Sequence, residues 1–237
     1  MTVADTRPYL NRLITSFPRL ERERVLARCE PIDLAYGTLL CEPDRPYRDV
    51  YFPLTAFIVL VDGVRGHPPL EMASIGSEGM LGATLVLGVS TVPLRAVVQG
   101  SGSAWRMSAS SMQRELTVSP NLRRAVGRYL FVAMTQLSHT ATCNYFHEIG
   151  PRLARWLLIV HDRTRTDRFH LTHQSMADML GVQRSAITIA AGALQKKNLI
   201  RYRRGEISIL DRRGLEAASC ECYASLAERS SAEHRPK

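Results

Sequence analysis

No stretch of this 237-residue sequence is apolar for long enough to cross a bilayer. The longest nearly uncharged run, residues 72–94, is interrupted by Ser, Gly, Glu78 and Pro93, which excludes a membrane-spanning helix there. The segment from Met1 to Arg7 has neither a basic leader nor an apolar run, and Arg12 and Arg19 interrupt the residues after it. The expectation is therefore a cytoplasmic chain with no membrane partner. Cysteine is scarce: Cys29, Cys41, Cys143, Cys220 and Cys222 are odd in number and scattered, unlike a disulfide framework. That usage fits a reducing compartment. A glycine-rich phosphate loop, an HExxH and a Gly-x-Ser-x-Gly are all missing. His139, His147 and His161 with Cys143 accordingly read as seam or surface residues rather than a Cys/His nucleophile. No catalytic residue is assigned and no enzyme is expected. Cys220-Glu221-Cys222 supplies two thiolates without a second pair at finger-like spacing. Neither a metal nor a cofactor is expected from it.

What the sequence does contain is an ordinary globular composition, 45% hydrophobic and 22% charged residues, on a chain long enough for two modest domains. Its charge is unevenly placed. Residues 149–237 hold 16 Lys/Arg against 9 Asp/Glu, whereas residues 1–148 hold 15 against 13. A basic C-terminal third beside a nearly neutral remainder points to one domain that meets a polyanion, because Lys and Arg displace counterions from phosphates.

Residues 7–29 place Leu10, Leu13, Ile14, Phe17, Leu20, Val25 and Leu26 mostly at helical spacing, with Pro18 dividing two short helices. Between residues 31 and 108 the pattern becomes short apolar runs, at 33–35, 38–40, 50–52, 56–61, 70–75, 83–87, 94–99 and 103–107, separated by Gly, Pro and Asp. That rhythm predicts an antiparallel barrel or jelly roll. Ser119 and Pro120 then open a helix to about residue 144, Ser119 as cap and Pro120 in the first turn. Within it Val126, Leu130, Ala133, Leu137, Thr140 and Asn144 recur at heptad-like spacing, which predicts a seam for a second copy of the chain. Gly150-Pro151 punctuates the chain before a helix at 152–161.

Residues 171–197 carry the functional signal. Thr172 can cap a helix in which Met176, Ala177 and Leu180 share a face; Gly181 can turn the chain, and Val182 begins a second helix with Ile187, Ala190, Ala191 and Leu194 inside. A small residue, Gly four later, and apolar residues one, six and nine after that Gly make a helix-turn-helix pattern. Residues 199–210 come next as two short strands around Arg204-Gly205, a wing that offers Arg201, Arg203 and Arg204 to passing phosphates. Gln183, Arg184, Ser185 and Thr188 lie at the exposed start of the second helix, the end that reaches base edges. Arg184 suits guanine and Gln183 suits adenine, and double-stranded DNA is the expected partner.

A helix pair, a jelly-roll barrel, a long seam helix and a winged helix-turn-helix, in that order over about residues 10–215, resemble the Crp/Fnr family of cyclic-AMP-receptor-like regulators. The resemblance implies an α+β chain: a double-stranded β-helix sensor domain of the cyclic-nucleotide-binding type at 1–117, a dimerisation helix at 118–149 and a winged helix-turn-helix domain at 150–220. A polar tail at 221–237 would complete the chain, fraying from 227. The resemblance further implies a homodimer that binds DNA, works with RNA polymerase and answers a small-molecule effector. Cyclic-nucleotide-binding members carry Gly-Glu, whose Glu holds the ribose, and Arg-Ser or Arg-Thr, which hold the phosphate. The matching positions here are Gly79-Met80 and Arg95-Ala96, so an acceptor and a hydroxyl are gone. Cyclic AMP is not the expected effector. The reading helix departs too, with Arg184-Ser185 and Ile189 where members often have Arg-Glu and a second Arg. Cys29 and Cys41 are too few for the family's iron–sulfur branch, and His67 alone is weak grounds for its haem branch. The competing reading is a ligand-binding or redox-sensing module that does not touch DNA.

Overall fold

A computed structural model describes residues 11–63, 65, 69–92, 94–164 and 166–225; His67 and the end of the expected tail lie outside the described residues. Two short helices open the chain, α1 (Arg12–Thr15) and α2 (Arg19–Leu26), divided at Pro18 as expected. Asn11 anchors them from a fully buried position. Its amide nitrogen donates to the carbonyls of Pro53 at 3.0 Å and Gly79 at 2.8 Å, and its side-chain oxygen accepts from the Ile14 N–H.

The barrel comprises β1 (Glu30–Leu34), β2 (Leu39–Cys41), β3 (Asp49–Pro53), β4 (Phe57–Asp62), β5 (Leu70–Ile75), β6 (Arg95–Gly100) and β7 (Gly102–Ser108). Its strands form two antiparallel sheets, ordered β1-β7-β3 and β2-β6-β4-β5. Between them lie Phe52, Ile58, Leu81, Ala96, Val98 and Met107, all without significant exposure. The run at 83–87, expected as a strand, is instead a 3-10 helix, Ala83–Leu87. Gly82 and Gly88 flank it at φ 98° and 76°, left-handed conformations that turn the backbone out of extension on both sides.

Next comes a helix that the sequence pattern does not separate from its surroundings, α3 (Ala109–Val118), capped by Ser108. Its Glu115 is buried and receives Arg24 at 3.2 Å and Arg28 at 2.8 Å, which ties the N-terminal helices to it. The long helix α4 (Pro120–Phe146) starts as its residues require: Ser119 Oγ accepts from the Leu122 N–H, and Pro120 occupies the first turn.

The C-terminal domain is built from α5 (Ile149–Thr164), β8 (Arg168–His170), α6 (His173–Leu180), α7 (Arg184–Lys196), β9 (Ile200–Arg203), β10 (Glu206–Ile209) and α8 (Arg212–Ala218). Leu153, Leu157, Leu158, Met176, Ala177, Ile187, Ala191 and Ile207 form its core, joined by Phe57, Val59 and Val61 from the outer face of β4. One apolar cluster therefore runs from the barrel wall into the C-terminal domain. The tail does not begin at 221: Cys222 is buried, and Tyr223 packs on this cluster while its hydroxyl donates to Asp162 at 2.7 Å. Among the described residues no helix is long and apolar enough to cross a membrane.

Candidate nucleic-acid interface

Thr172 starts α6 with a reciprocal cap, its Oγ accepting from the Ser175 N–H while Ser175 Oγ accepts from the Thr172 N–H, both at 3.0 Å. Gly181 ends the helix at φ 64°, a conformation that would strain any residue with a Cβ. The Val182 N–H then returns to the Ala177 carbonyl at 3.0 Å, closing the turn. Beyond it α7 buries Ile187, Ala190, Ala191 and Leu194 against α5 and α6. Its opposite face is open: Gln183, Arg184, Ser185 and Thr188 are all exposed or nearly so, as the sequence pattern requires. Gln183 stands at the N-cap position without capping, so its amide keeps its hydrogen-bonding capacity for something outside the protein.

Ile189 and His173 add to this face. Ile189, already noted as a departure in the reading helix, is 74% exposed. The signal was available in the spacing, since 189 falls beside 185 and 188 rather than on the 187/190/191/194 face. His173 lies beneath the helix, with Nδ1 3.0 Å from Thr188 Oγ1. Because Thr188 Oγ1 donates to the Arg184 carbonyl at 3.1 Å, the consistent arrangement has His173 donating from Nδ1. Burial holds the His173 imidazole below its ordinary pKa, and the nearby Arg184 charge adds to that. The Thr188 hydroxyl is thus engaged within the protein, which leaves its methyl as the group free to meet an outside partner.

The wing is a three-stranded antiparallel sheet ordered β8-β10-β9. Arg204 and Gly205, at φ 51° and 80°, are both left-handed, the geometry of the tight two-residue hairpin turn that matches strand twist. Arg201 and Arg203 project from β9, the outer strand, and Arg204 from the tip, all exposed. The Tyr202 N–H donates to Gln195 Oε1 at 2.8 Å and fastens the wing to the end of α7. The arginine edge and the open face of α7 therefore belong to one rigid unit.

Residues 151–218 match the family model described as a Crp-like helix-turn-helix domain. The matched stretch includes α6, the Gly181 turn and α7, the three parts of a helix-turn-helix. Solved structures resemble most of the chain. A transcriptional regulator of the Crp/Fnr family from Eubacterium rectale superposes with a TM-score of 0.67 at 14% identity, over 87% of this chain and 96% of that one. FixK2 from Bradyrhizobium japonicum gives 0.66 at 13%, over 81% and 98%. The c-di-GMP-responsive global regulator CLP of Xanthomonas campestris gives 0.64 at 16%, over 81% and 99%. The chain thus shares the fold of these Crp/Fnr regulators, α+β with a C-terminal helix-turn-helix. No curated protein matches its sequence.

Within that fold the four candidate effector residues, Gly79, Met80, Arg95 and Ala96, do not share one face. Met80 and Ala96 are buried in the barrel core, and the Tyr129 ring of α4 lies so close to Gly79 that a Cβ there would collide with it. Arg95 points the other way, as alternation along β6 demands, and faces Glu42 at 3.7 Å with both side chains half exposed. The expected seam residues are divided as well. Val126 is fully buried in the barrel core and Leu130 packs on that cluster, so these side chains are already used within the chain. Ala133 and Leu137 are half-buried at the border. The face of α4 left open is instead Phe131, Met134, Ser138, Ala141 and Tyr145, again at heptad-like spacing, with Phe131 and Met134 each 59% exposed.

Proposed function

We propose that the protein is a sequence-specific DNA-binding transcriptional regulator of the Crp/Fnr type that acts as a homodimer in the cytoplasm. The observation that carries this reading is the open N-terminal face of α7, with Gln183, Arg184 and Ser185 free of internal duties, set rigidly beside the arginine edge of the wing. In the reading, α7 enters the major groove, where Arg184 offers a bidentate donor pair to guanine, Gln183 matches adenine, Ser185 reaches either, and Ile189 and the Thr188 methyl contact thymine methyls. Thr172, at the start of α6, and Arg201, Arg203 and Arg204 hold phosphates and fix the register.

The heptad-spaced open strip of α4 supplies the dimer contact, since an isolated amphipathic helix with Phe131 and Met134 exposed lacks a cover that a second copy provides. Two-fold symmetry then sets two copies of α7 in successive major grooves, about one helical turn apart, on a roughly palindromic site. The division into a sensor domain at 1–117, a dimer helix at 118–149 and a DNA-binding domain from 150 accords with this reading, as does RNA polymerase as a downstream partner. Cyclic AMP does not fit as the effector, because Tyr129 lies where Gly79 would have to admit a ligand and Met80 supplies no acceptor. Catalysis has no part in the reading.

Footprinting of the purified protein across genomic DNA, at several salt concentrations, tests it. Discrete, approximately two-fold symmetric footprints whose affinity falls steeply with salt are expected. Salt-insensitive or absent duplex binding would favour the signalling module without DNA contact.

A further inference from the structure

Cys143 and His147 lie more than 70 positions from Cys220 and Cys222, yet one ligand atom from each of the four falls within 4.8 Å of all the others. Cys143 sits in the last turn of α4 and His147 caps that helix, four positions on. Cys220 and Cys222 come after α8, on the segment that folds back from the DNA-binding domain. The Cys143 and Cys220 sulfurs are 3.5 Å apart, and Cys222 Sγ is 3.6 Å from His147 Nδ1. A tetrahedral zinc ion with Zn–S near 2.3 Å and Zn–N near 2.0–2.1 Å places sulfurs about 3.8 Å apart and sulfur and nitrogen about 3.5 Å apart. The set is too tight to enclose a cluster of several iron and sulfide atoms, and it matches one ion.

Two surrounding features point the same way. His147 Nε2 lies 3.1 Å from Glu221 Oε1, so the ring nitrogen away from the cysteines is oriented by a carboxylate, the usual outer partner of a metal-bound imidazole. Arg155, 5% exposed, lies on the inner side, with one guanidinium nitrogen 3.7 Å from Cys143 Sγ. Neither it nor the equally buried Arg152 has an ion-pair partner within 4.0 Å among the described residues. Burying such cations without countercharge is costly. Three thiolates and a neutral imidazole on a divalent ion carry one net negative charge, which would lie against the Arg155 guanidinium.

We propose that Cys143, His147, Cys220 and Cys222 form a closed Cys3His site for one zinc ion per chain. The ion joins the far end of the long helix α4 to the C-terminal segment of the DNA-binding domain. Loading releases the three thiol protons to solvent and requires no redox step. The proposal is independent of whether the protein binds DNA.

The test uses the full chain, purified under reducing conditions, stripped with a chelator and titrated with cobalt(II) and then zinc(II). One equivalent of cobalt should produce thiolate-to-cobalt charge-transfer and tetrahedral d–d absorption, and zinc should abolish both. Cys143→Ser and Cys222→Ser should lose this behaviour, while Cys29→Ser and Cys41→Ser retain it. Glu221→Gln should keep the spectrum but bind about 10- to 100-fold more weakly. The unaltered chain answers the central question even if a ligand variant fails to fold. An absent cobalt–thiolate spectrum in that chain, the same spectrum in Cys143→Ser, or a Cys143–Cys220 disulfide that forms equally with zinc present would each overturn the assignment.

Discussion

His173 stacks on Tyr202, the ring centroids 4.2 Å apart and the planes inclined by 19°, so a residue of α6 and a residue of the wing strand form one platform beneath the start of α7. The imidazole is kept neutral there, its pKa held low by burial and by the Arg184 charge. A histidine harder to protonate in the folded chain than in the unfolded one favours folding at pH values above the ordinary histidine range, near 6.5, and loses that contribution as pH falls below it. The melting temperature of the unaltered protein should therefore decline between pH 7 and pH 5 more steeply than that of His173→Gln. Parallel pH profiles for the two proteins would remove His173 from this role.

Base reading and phosphate binding should separate by mutation. Arg184→Ala should cost about 1–3 kcal/mol of specific affinity and relax the preference at one base position. Arg203→Ala should weaken all duplexes about equally and reduce the slope of affinity against salt by about one counterion. Competition binding on permuted operators, at three salt concentrations, distinguishes the two patterns; identical behaviour of both variants would contradict the assignment of roles.

The two faces of α4 should answer differently to substitution. Met134→Asp places a charge in the open strip and should shift sedimentation toward monomer while leaving the fold intact. Val126→Ala removes two methyl groups from a packed site, so it should lower stability by about 2 kcal/mol without changing the association state. A dimer that survives Met134→Asp would send the contact elsewhere on the surface.

Glu71 is buried, accepting from Trp156 Nε1 at 2.9 Å, and burial pushes its carboxyl above the ordinary carboxylate range. An acid that is harder to ionise in the folded chain stabilises most at low pH and loses that benefit as pH rises past the unfolded value. Glu71→Gln, which keeps an acceptor for Trp156, should accordingly raise the melting temperature at pH 7 and have little effect near pH 4. Destabilisation at pH 7 would show that the charged carboxylate is worth more than its burial costs.

The features legible in the sequence are local ones. Ala177 with Gly181, Ser119 with Pro120, and Arg204 with Gly205 each specify a backbone event within a few residues, and all three events occur. The 83–87 segment misleads because its composition suits a strand, while the left-handed glycines on either side decide its shape. The exposed stripe of α4 lies one position further around the helix than the expected seam, because apolar spacing cannot tell which stripe the barrel takes first, and Val126 belongs to the barrel. Tyr129 over Gly79, and Cys143 beside Cys220, are encounters across 50 and 77 positions that no short pattern encodes.

Helix α4 runs unbroken through 27 residues, Pro120–Phe146, with Leu122 near one end in the barrel core and Cys143 near the other beside Cys220 and Cys222. At 1.5 Å per residue it is a lever arm about 40 Å long, so a swing of about 10° at the barrel end would carry its tip about 7 Å. That is about two base-pair steps of B-form DNA. On the proposed reading, a rearrangement around Tyr129 that also loosened Phe57, Val59 and Val61 from the C-terminal core would shift α7 against a groove.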